Sequence, residues 1–434
     1  MQNTNKKLFS YIKKGVTAYH AVKNTADILT ENGYEFISEA DEWVLTPGKK
    51  YFTKRNGSSL IAFRVPTGNY TGFMMTASHC DSPCFKVKES PERSDSHYVR
   101  LSTETYGGML LASWFDTPLS VAGRVTVRNG NGIEIKLADI GDTVGIIPSV
   151  AIHMNRKANE NASYNPASDM LPLFSDASSK ENPDLLSMVA EAAGVEKKDI
   201  VTTDLFAYNP KDGTEFGGFI SAPRIDDLQC AFGALEAFIS SGESKNSLPV
   251  YCLFDNEEVG STTKQGAAST FLSDTLERIV TGTGGKCKNL KTKLQHSFLV
   301  SCDNAHAAHP NHPELSDPNH SVYMNGGIVI KYNANQRYTT DAVSSAIFRL
   351  ICEKADVPVQ SYANRADMPG GSTLGNIANT HVSLNTVDIG LAQLAMHSSF
   401  ETAGALDTYY LVNALSAFFG MKLCFDGNGK YRLE

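Results

Sequence analysis

Short apolar segments that stop at acidic or imidazole side chains recur along the chain. Three of them cover residues 73–78, 250–254 and 298–302, and they are followed by His79, Asp255 and Asp303. Apolar runs of this length, closed by polar residues, predict buried parallel strands. In an open α/β sheet the ligand crevice lies outside the carboxyl ends of the strands. The pattern therefore predicts that these polar side chains meet at one edge of a sheet.

The pattern of apolar and polar residues changes twice along the chain. Helix and strand patterns alternate at the beginning, and longer helices and apolar strands occupy the second half. Between them, short alternating segments are interrupted by the hairpin signal Asn129-Gly130-Asn131-Gly132. We predict an α/β domain over residues 1–84 and 213–434, interrupted by an inserted β-rich domain over residues 85–212.

Composition and charge narrow the class of protein. The chain has 434 residues, of which 41% are hydrophobic and 20% charged, as expected for a folded protein with more than one domain. The net charge of -8 provides no general attraction for nucleic acid or for an anionic membrane. No apolar run reaches the roughly 18 residues of a membrane span, and the start of the chain lacks the apolar stretch of a signal peptide. The expected location is cytoplasmic, without nucleic-acid or membrane partners.

The clustered polar residues suit a site for two divalent metal ions. Two ions about 3.5–4 Å apart need a bridging carboxylate and further ligands for each ion. Imidazole and carboxylate donors suit zinc, with cobalt or manganese as alternatives. The candidate ligands are His79, Asp226, Glu258, Asp303 and a late histidine. Asp81 lies two residues after His79 and is expected to accept the second N–H of its imidazole.

The adjacent residues Glu257 and Glu258 predict a division of tasks. Because neighbouring side chains diverge, one carboxylate can bind metal while the other faces a water molecule. The second carboxylate would take the proton of that water as general base.

Each of these residues also has a purely structural interpretation. His79-Cys80-Asp81 can arise by chance, the glutamate pair is typical of a solvated helix start, and Asp303 can cap a turn. The segment after Asp303 is harder to attribute to packing, because it holds three histidines in seven positions: His306, His309 and His312. Whether His306, His309 and His320 shape a substrate pocket or brace the loop stays open. Spacing alone also does not choose between the late histidines His381 and His397, or between Asp226 and Asp227 as the bridge.

Several longer motifs stand together in the order that is typical of one family. They are SHCDSP at 78–83, PRIDD at 223–227, DNEEVGS at 255–261, DNAHAAHPN at 303–311, KYNANQRY at 331–338 and MHSSFE at 396–401. With them the chain resembles the aspartyl aminopeptidase family, cytosolic dinuclear-zinc exopeptidases of the wider zinc-aminopeptidase clan. The resemblance runs from Ala18 to Ala414. It implies a zinc-aminopeptidase-type mixed-sheet catalytic domain with helices on both faces, and an inserted domain that pairs subunits.

The resemblance also implies a role for each site residue. The metal ligands would be the terminal pair His79 and Asp303 for one ion, the terminal pair Glu258 and His397 for the other, and the bridging Asp226. Glu257 would be the general base, and Asp81 would orient a ligand.

The substrates implied by the resemblance are peptides with a free N-terminus, preferably Asp or Glu. Lys331 is the candidate cation for such residues, with a structural ion pair as the alternative interpretation. Gly371 and Ser372 are expected in the substrate pocket, where Gly370-Gly371 would allow close backbone approach. The loop departs from the family at Met368 and Gly370, so a neutral N-terminal preference is an alternative.

The resemblance further implies a homo-oligomer, a tetrahedral dodecamer built from dimers. His153, in a loop of the inserted domain, would reach the active site of a neighbouring subunit, and the alternative is a strand histidine inside one subunit. Two other readings of the whole chain remain: another dinuclear amidohydrolase, such as a deacylase or carboxypeptidase, and a non-catalytic cage protein. Glu257 beside Glu258 argues against the last of these.

Overall fold

Helices and strands alternate through residues 2–160, 162–179, 184–244 and 246–434, which are the residues that the computed structural model describes. The α-helices are α1 (Gln2–Lys14), α2 (Ala18–Glu31), α3 (Leu185–Ala193), α4 (Ile225–Ser240), α5 (Phe271–Gly282), α6 (Lys288–Leu294), α7 (Ala342–Lys354), α8 (Leu374–Ala378) and α9 (Asp407–Phe419). Their ends follow local chemistry. The Asp341 side chain accepts the amide of Ser344 at the start of α7, and Gly194 ends α3 in the left-handed conformation.

The strands form sheets of different character. They are β1 (Glu35–Phe36), β2 (Lys50–Arg55), β3 (Ser59–Arg64), β4 (Gly72–His79), β5 (Cys84–Ser94), β6 (Tyr98–Tyr106), β7 (Pro118–Asn129), β8 (Gly132–Asp139), β9 (Gly145–Ile146), β10 (Leu173–Asp176), β11 (Ile200–Tyr208), β12 (Thr214–Phe216), β13 (Phe219–Ala222), β14 (Ser247–Phe254), β15 (Phe298–Cys302), β16 (Ala305–His306), β17 (Ile328–Tyr332), β18 (Val359–Ala363), β19 (Asn385–Gly390), β20 (Ala392–Leu394), β21 (Glu401–Gly404), β22 (Leu423–Phe425) and β23 (Tyr431–Leu433).

The largest sheet among the described residues has nine strands, in the order β1-β2-β3-β14-β4-β15-β19-β17-β18. Its centre, β14-β4-β15-β19, is parallel, while β2, β3 and β17 introduce antiparallel pairs. Every residue of β4, β14 and β15 is buried, as the continuous apolar runs predict. The predicted mixed-sheet α/β class is confirmed.

Helices cover both faces of this sheet. Side chains of α1, α2, α4, α7 and α9 pack in one apolar cluster with Met74 of β4, and side chains of α5 and α8 pack in another with the adjacent Met75. Neighbouring residues of a strand point to opposite faces, so one strand serves both clusters. The two layers hold the ends of β4, β14 and β15 rigidly side by side.

A seven-stranded sheet lies between β4 and β12 in the sequence. Its order is β11-β5-β6-β10-β9-β7-β8, and the further pairing of β11 with β7 closes it on itself. It has its own apolar cluster, in which α3 takes part. This sheet occupies the stretch where the sequence predicts a β-rich insertion, and the division at residues 84 and 212 stays a prediction. A five-stranded sheet, β12-β13-β21-β20-β16, lies beside the end of the large sheet and carries the turn between β20 and β21.

Candidate metal centre

Three neighbouring strands bring polar side chains to one edge of the nine-stranded sheet. β4 lies between β14 and β15 and is parallel to both. His79 is the last residue of β4, and Asp303 follows β15. Glu257 and Glu258 begin a short 3-10 helix just after β14. The carboxyl edge of the sheet therefore carries one imidazole and three carboxylates, as the strand pattern predicts.

Asp226 and His397 reach the same place from outside this sheet. Asp226 lies at the start of α4, where its backbone is not helical, and His397 lies between β20 and β21 with φ +67°. Both backbones are held by Glu401, which is 2% exposed. Its Oε2 accepts the amide of Asp226 at 3.0 Å, and its Oε1 accepts the amide of His397 at 2.8 Å.

The side chains converge in two groups that share Asp226. One group is His79, Asp226 and Asp303, and the other is Asp226, Glu258 and His397; within each group the possible ligand atoms lie within 4.8 Å of one another. The two oxygens of Asp226 face different imidazoles. Its Oδ1 lies 3.4 Å from Nε2 of His79, and its Oδ2 lies 3.4 Å from Nε2 of His397.

These separations suit tetrahedral zinc. With ligands at about 2.0–2.1 Å, two ligand atoms of a tetrahedral ion are about 3.3–3.4 Å apart. Beside the two 3.4 Å distances, His397 Nε2 lies 3.5 Å from Oε2 of Glu258, and His79 Nε2 lies 3.8 Å from Oδ1 of Asp303. The donors of each group are thus spaced close to the edge of one coordination tetrahedron.

Two carboxylate oxygens support the same assignment. Oδ1 of Asp226 and Oε1 of Glu258 are buried, and neither has a hydrogen-bond partner in the described part of the chain. A buried carboxylate oxygen without a partner is costly, and a cation removes that cost. Burial, together with the nearby Asp226 carboxylate, raises the pKa of Glu258 well above its usual value. The residues present therefore fit a metal centre.

When no metal is bound, the imidazoles of His79 and His397 balance the negative charge of the neighbouring carboxylates. Burial opposes ionisation of Asp226, but His397 and His79 hold its pKa below the ordinary range. Burial likewise lowers the pKa of His397, yet Asp226 and Glu258 raise it to about 10. Metal ions would replace these protons, because a ligating imidazole must be neutral.

Asp81 has more partners than the sequence predicts. The sequence assigned its carboxylate to the second N–H of His79, but Nδ1 of His79 lies 3.0 Å from the backbone carbonyl of Asp81 and 3.5 Å from its Oδ1. The carboxylate instead accepts the amides of Glu257 and Glu258, at 3.1 and 3.2 Å. It also accepts the hydroxyl of Tyr106 at 2.7 Å. Asp81 thus links the end of β4 to the turn after β14.

A cavity of about 270 Å³ opens onto the metal centre. Among its lining residues are Lys331, His306, Gly371, Ser372 and Thr373. The structure therefore brings three of the four predicted substrate contacts next to the predicted ligands. His309 and His320 do not line it among the described residues, and His320 pairs with Asp317 at 2.8 Å.

His153 lies apart from the other predicted site residues. It is exposed in the loop between β9 and β10 and does not line the cavity within the described chain. A β-carbon at Gly371 would meet no atom within 4 Å, whereas a β-carbon at Gly370 would lie 2.6 Å from Oδ1 of Asn364. Glycine is therefore needed at position 370 because the backbone there packs closely against the side chain of Asn364, and not because a substrate approaches it.

Sequence reasoning missed Glu401 and Tyr106. Glu401 belongs to the motif at 396–401, but of the two possible ligand types in that motif only His397 was singled out. Glu401 begins a short strand, Glu401–Gly404, and its local pattern does not show that it is 2% exposed. Tyr106 ends an alternating strand, and nothing in its local pattern indicates a contact with Asp81.

Comparison with known proteins gives the family. The model of the family described as aminopeptidase I zinc metalloprotease (M18) matches residues 11–419. The chain belongs to the M18 family. It is 42% identical over 424 residues to a probable M18 family aminopeptidase 2 of Clostridium novyi, with 95% of this chain and 98% of that protein covered. A protein of the same name from Pseudomonas putida is 38% identical over 426 residues, with 96% and 97% covered.

Solved structures of related proteins share this fold. The cryo-EM structure of the complex of Ape4 and Nbr1 contains a chain with TM-score 0.93 and 33% identity, covering 96% of this chain and 86% of that one. The mApe1 dodecamer of S. cerevisiae has TM-score 0.84 and 28% identity, with 95% of each chain covered. This M18 protein is accordingly a zinc metallo-aminopeptidase, which confirms the predicted enzyme class. None of the described helices is both long and apolar enough to cross a bilayer.

Proposed function

We propose that this M18 enzyme removes the N-terminal residue of peptides, preferably Asp or Glu, with two divalent metal ions and Glu257 as general base. The observation that carries the proposal is the position of Asp226, whose two oxygens face the imidazoles of His79 and His397 at 3.4 Å each. A carboxylate placed between two donor groups is what a pair of ions needs as a bridge.

The donor set assigns residues to the two ions. His79 and Asp303 would complete one site and Glu258 and His397 the other, with Asp226 common to both. Zinc is expected from the family, and cobalt or manganese would suit the same nitrogen and oxygen donors. When bound, the ions polarise the scissile carbonyl and lower the pKa of a water molecule.

Glu257 is placed to move the proton. It lines the cavity, and its ligand-type oxygen lies in a group with His79 and Glu258 that spans no more than 4.8 Å. Burial raises the pKa of Glu257 to about 8, while the charge of His79 lowers it. Cations beside Glu257 would act in the same direction as that charge and keep the carboxylate ionised. Asp81 holds its amide, so the carboxylate keeps a fixed direction from which it takes the proton of water and returns it to the leaving amine.

The cavity also contains a cation for an acidic side chain. Lys331 is the one lysine or arginine among the lining residues that the structure describes. A fixed ammonium in a largely buried wall favours a substrate carboxylate over a neutral side chain. Gly371 and Ser372, which line the same cavity, would contact the rest of the residue that is removed. The free α-amino group would meet the carboxylates of the centre.

Assembly belongs to the same proposal. The related mApe1 is a dodecamer, and we infer a tetrahedral dodecamer built from dimers for this enzyme. His153 is exposed in one subunit, which leaves it available to reach the active site of a neighbour. In such a cage, short peptides would enter and folded proteins would stay outside.

A panel of aminoacyl substrates tests the function. Peptides that begin with Asp, Glu, Ala, Leu or Lys, each with a free and an acetylated N-terminus, are assayed with zinc-loaded and with chelated protein. The expected result is metal-dependent cleavage of free-amine substrates, fastest for Asp and Glu. Faster cleavage of Ala or Leu would contradict the acidic preference and keep the aminopeptidase chemistry. Cleavage of the acetylated peptides alone would favour a deacylase.

A further inference from the structure

A short segment at the end of a strand brings the seven-stranded sheet to the metal centre. This segment, which we term the β6 end, is Tyr106-Gly107-Gly108, the last residue of β6 and the two that follow. Its residues approach three different side chains of the centre: Asp81, Glu258 and His397. The centre thus combines residues of the nine-stranded sheet with Asp226 and His397 from outside it, and the seven-stranded sheet contacts it as well.

Gly108 orients His397. Its carbonyl oxygen accepts a hydrogen bond from Nδ1 of His397 at 2.7 Å. This bond leaves Nε2 directed towards Asp226 and Glu258, at 3.4 and 3.5 Å. A hydrogen bond to the far nitrogen of an imidazole fixes both its tautomer and its direction as a ligand. The amide of Leu110 adds a bond of 3.0 Å to the carbonyl of His397.

Gly107 lies directly against Glu258. Its φ is +75°, and a β-carbon at this position would lie 3.2 Å from Cβ of Glu258 and 3.5 Å from its Oε2. Only glycine adopts this conformation readily and leaves room for the glutamate. A side chain at Gly107 would therefore displace the carboxylate that shares a ligand group with His397.

Tyr106 acts on the centre through Asp81. Its hydroxyl donates to Oδ2 of Asp81, the carboxylate that holds the amides of Glu257 and Glu258. Its ring packs edge-on against Phe206 of β11, with the centroids 5.6 Å apart. Tyr106 is therefore a positioning residue that is anchored in the seven-stranded sheet.

The other ligand pair is held by the nine-stranded sheet. His79 contacts the carbonyl of Asp81, and the amide of Asp303 donates to the carbonyl of Ile389 in β19 at 3.0 Å. Lys331 of β17 lies 3.4 Å from Asp303. Among the described residues, no hydrogen bond joins the β6 end to either member of this pair. The two groups of ligands are therefore supported by different parts of the fold.

We propose that the β6 end controls one of the two metal ions selectively. Glu258 and His397, which with Asp226 would hold the first ion, take direct contacts from the β6 end. His79 and Asp303, which with Asp226 would hold the second ion, are reached from the β6 end only through Asp81, whose carbonyl contacts His79 while its Oδ2 accepts both the Tyr106 hydroxyl and the amide of Glu258. This inference rests on the proposed pair of ions. Any change that loosens the seven-stranded sheet would empty the first site before the second.

Titration of the metal-free enzyme with Co²⁺ tests the inference, with calorimetry for affinity and visible absorption for coordination. The wild type is expected to bind in two steps. In Gly107→Ala one step should weaken about ten- to a hundredfold, the loss typical when a group that orients a metal ligand is removed, and the other step should be unchanged. Gly130→Ala is the matched control, because Gly130 also has positive φ, +57°, but nothing within 4 Å of its β-carbon position.

A second variant tests the same inference if Gly107→Ala does not fold. Tyr106→Phe keeps the packing on Phe206 and removes only the hydroxyl, and it should weaken the same step by a smaller factor. Tyr98→Phe, on the exposed start of the same strand, is its control. If the wild type binds in two steps and the variants leave both steps unchanged, or weaken both equally, the inference about the β6 end is wrong. The proposal of two metal ions would then still stand. Binding of only one Co²⁺ per subunit to the wild type would overturn the two-ion proposal and the inference with it.

Discussion

Nζ of Lys331 lies 3.4 Å from Oδ2 of Asp303, in the wall of the cavity at the candidate metal centre. The lysine is 2% exposed, and its ammonium also donates to the carbonyl of Asn304 at 2.7 Å. The ion pair that the sequence offered as the alternative interpretation therefore exists, and the same ammonium borders the cavity at the candidate metal centre.

Lys331→Met should change specificity. A charge-assisted hydrogen bond contributes about 1.5–3 kcal/mol, so kcat/KM for Asp and Glu peptides should fall at least about tenfold more than for Ala peptides. All substrates should lose some rate, because Asp303 loses its partner. Steady-state kinetics on both substrate classes measure this. Lys293→Met, in α6 against the opposite end of β4, is the control. Equal losses on acidic and neutral peptides would leave Lys331 with the ion pair alone.

Glu257→Gln should separate metal binding from turnover. The amide keeps the shape of the side chain but cannot take a proton. We therefore expect kcat to fall about 10²–10⁴-fold, which is the usual contribution of a general base. Metal content, measured by elemental analysis, should stay at the wild-type level. Glu277→Gln, exposed on α5, controls for the loss of a carboxylate. A variant that retains more than about a tenth of wild-type kcat would remove Glu257 from the proton transfer.

Removal of metal should destabilise the protein as well as inactivate it. Asp226 and Glu258 each have a buried oxygen without a hydrogen bond among the described residues, so the ions contribute binding energy to the folded state. Chelation should lower Tm, and two equivalents of Zn²⁺ per subunit should restore it. In Asp226→Asn the shift in Tm should be strongly reduced. An unchanged Tm after complete chelation would contradict the assigned ligands.

Acid stability should depend on His20, at the start of α2. Burial lowers the pKa of His20 to about 4, from 6.5. Between pH 6.5 and 4 the unfolded chain binds a proton that the folded chain does not. The free energy of unfolding therefore decreases as the pH is lowered through this window, by up to about 3 kcal/mol. Unfolding experiments across the window should show a shallower decline for His20→Gln. The exposed His381→Gln should follow the wild type, and parallel curves for all three proteins would contradict the assignment.

The strand pattern predicted the carboxyl edge of the large sheet because a parallel strand that is buried on both faces consists of a continuous run of apolar residues. His79, Asp303 and the pair Glu257-Glu258 follow from it, and the family resemblance chose Glu258 as the ligand of that pair. Asp226 and His397 are different, because they come from a helix start and a turn whose places are set by Glu401. Local spacing cannot indicate a contact between residues so far apart in sequence, and only the family resemblance chose them over Asp227 and His381.

The same limit applies to Asp81 and Tyr106. The spacing of His79 and Asp81 predicted that they touch, but the backbone carbonyl makes the shorter contact. The carboxylate turns towards amides that arrive from β14 and a hydroxyl that arrives from β6. Partners delivered by two other strands decided its direction, and a pattern within one strand does not contain them.

The predicted ligands are spread over residues 79–397. The seven-stranded sheet, β14 and β15 are all synthesised between the first of these residues and the last. Under the proposed assignment, a chain truncated before His397 lacks one of the ligands, so peptide hydrolysis would start only after His397 has been synthesised and brought to the other four.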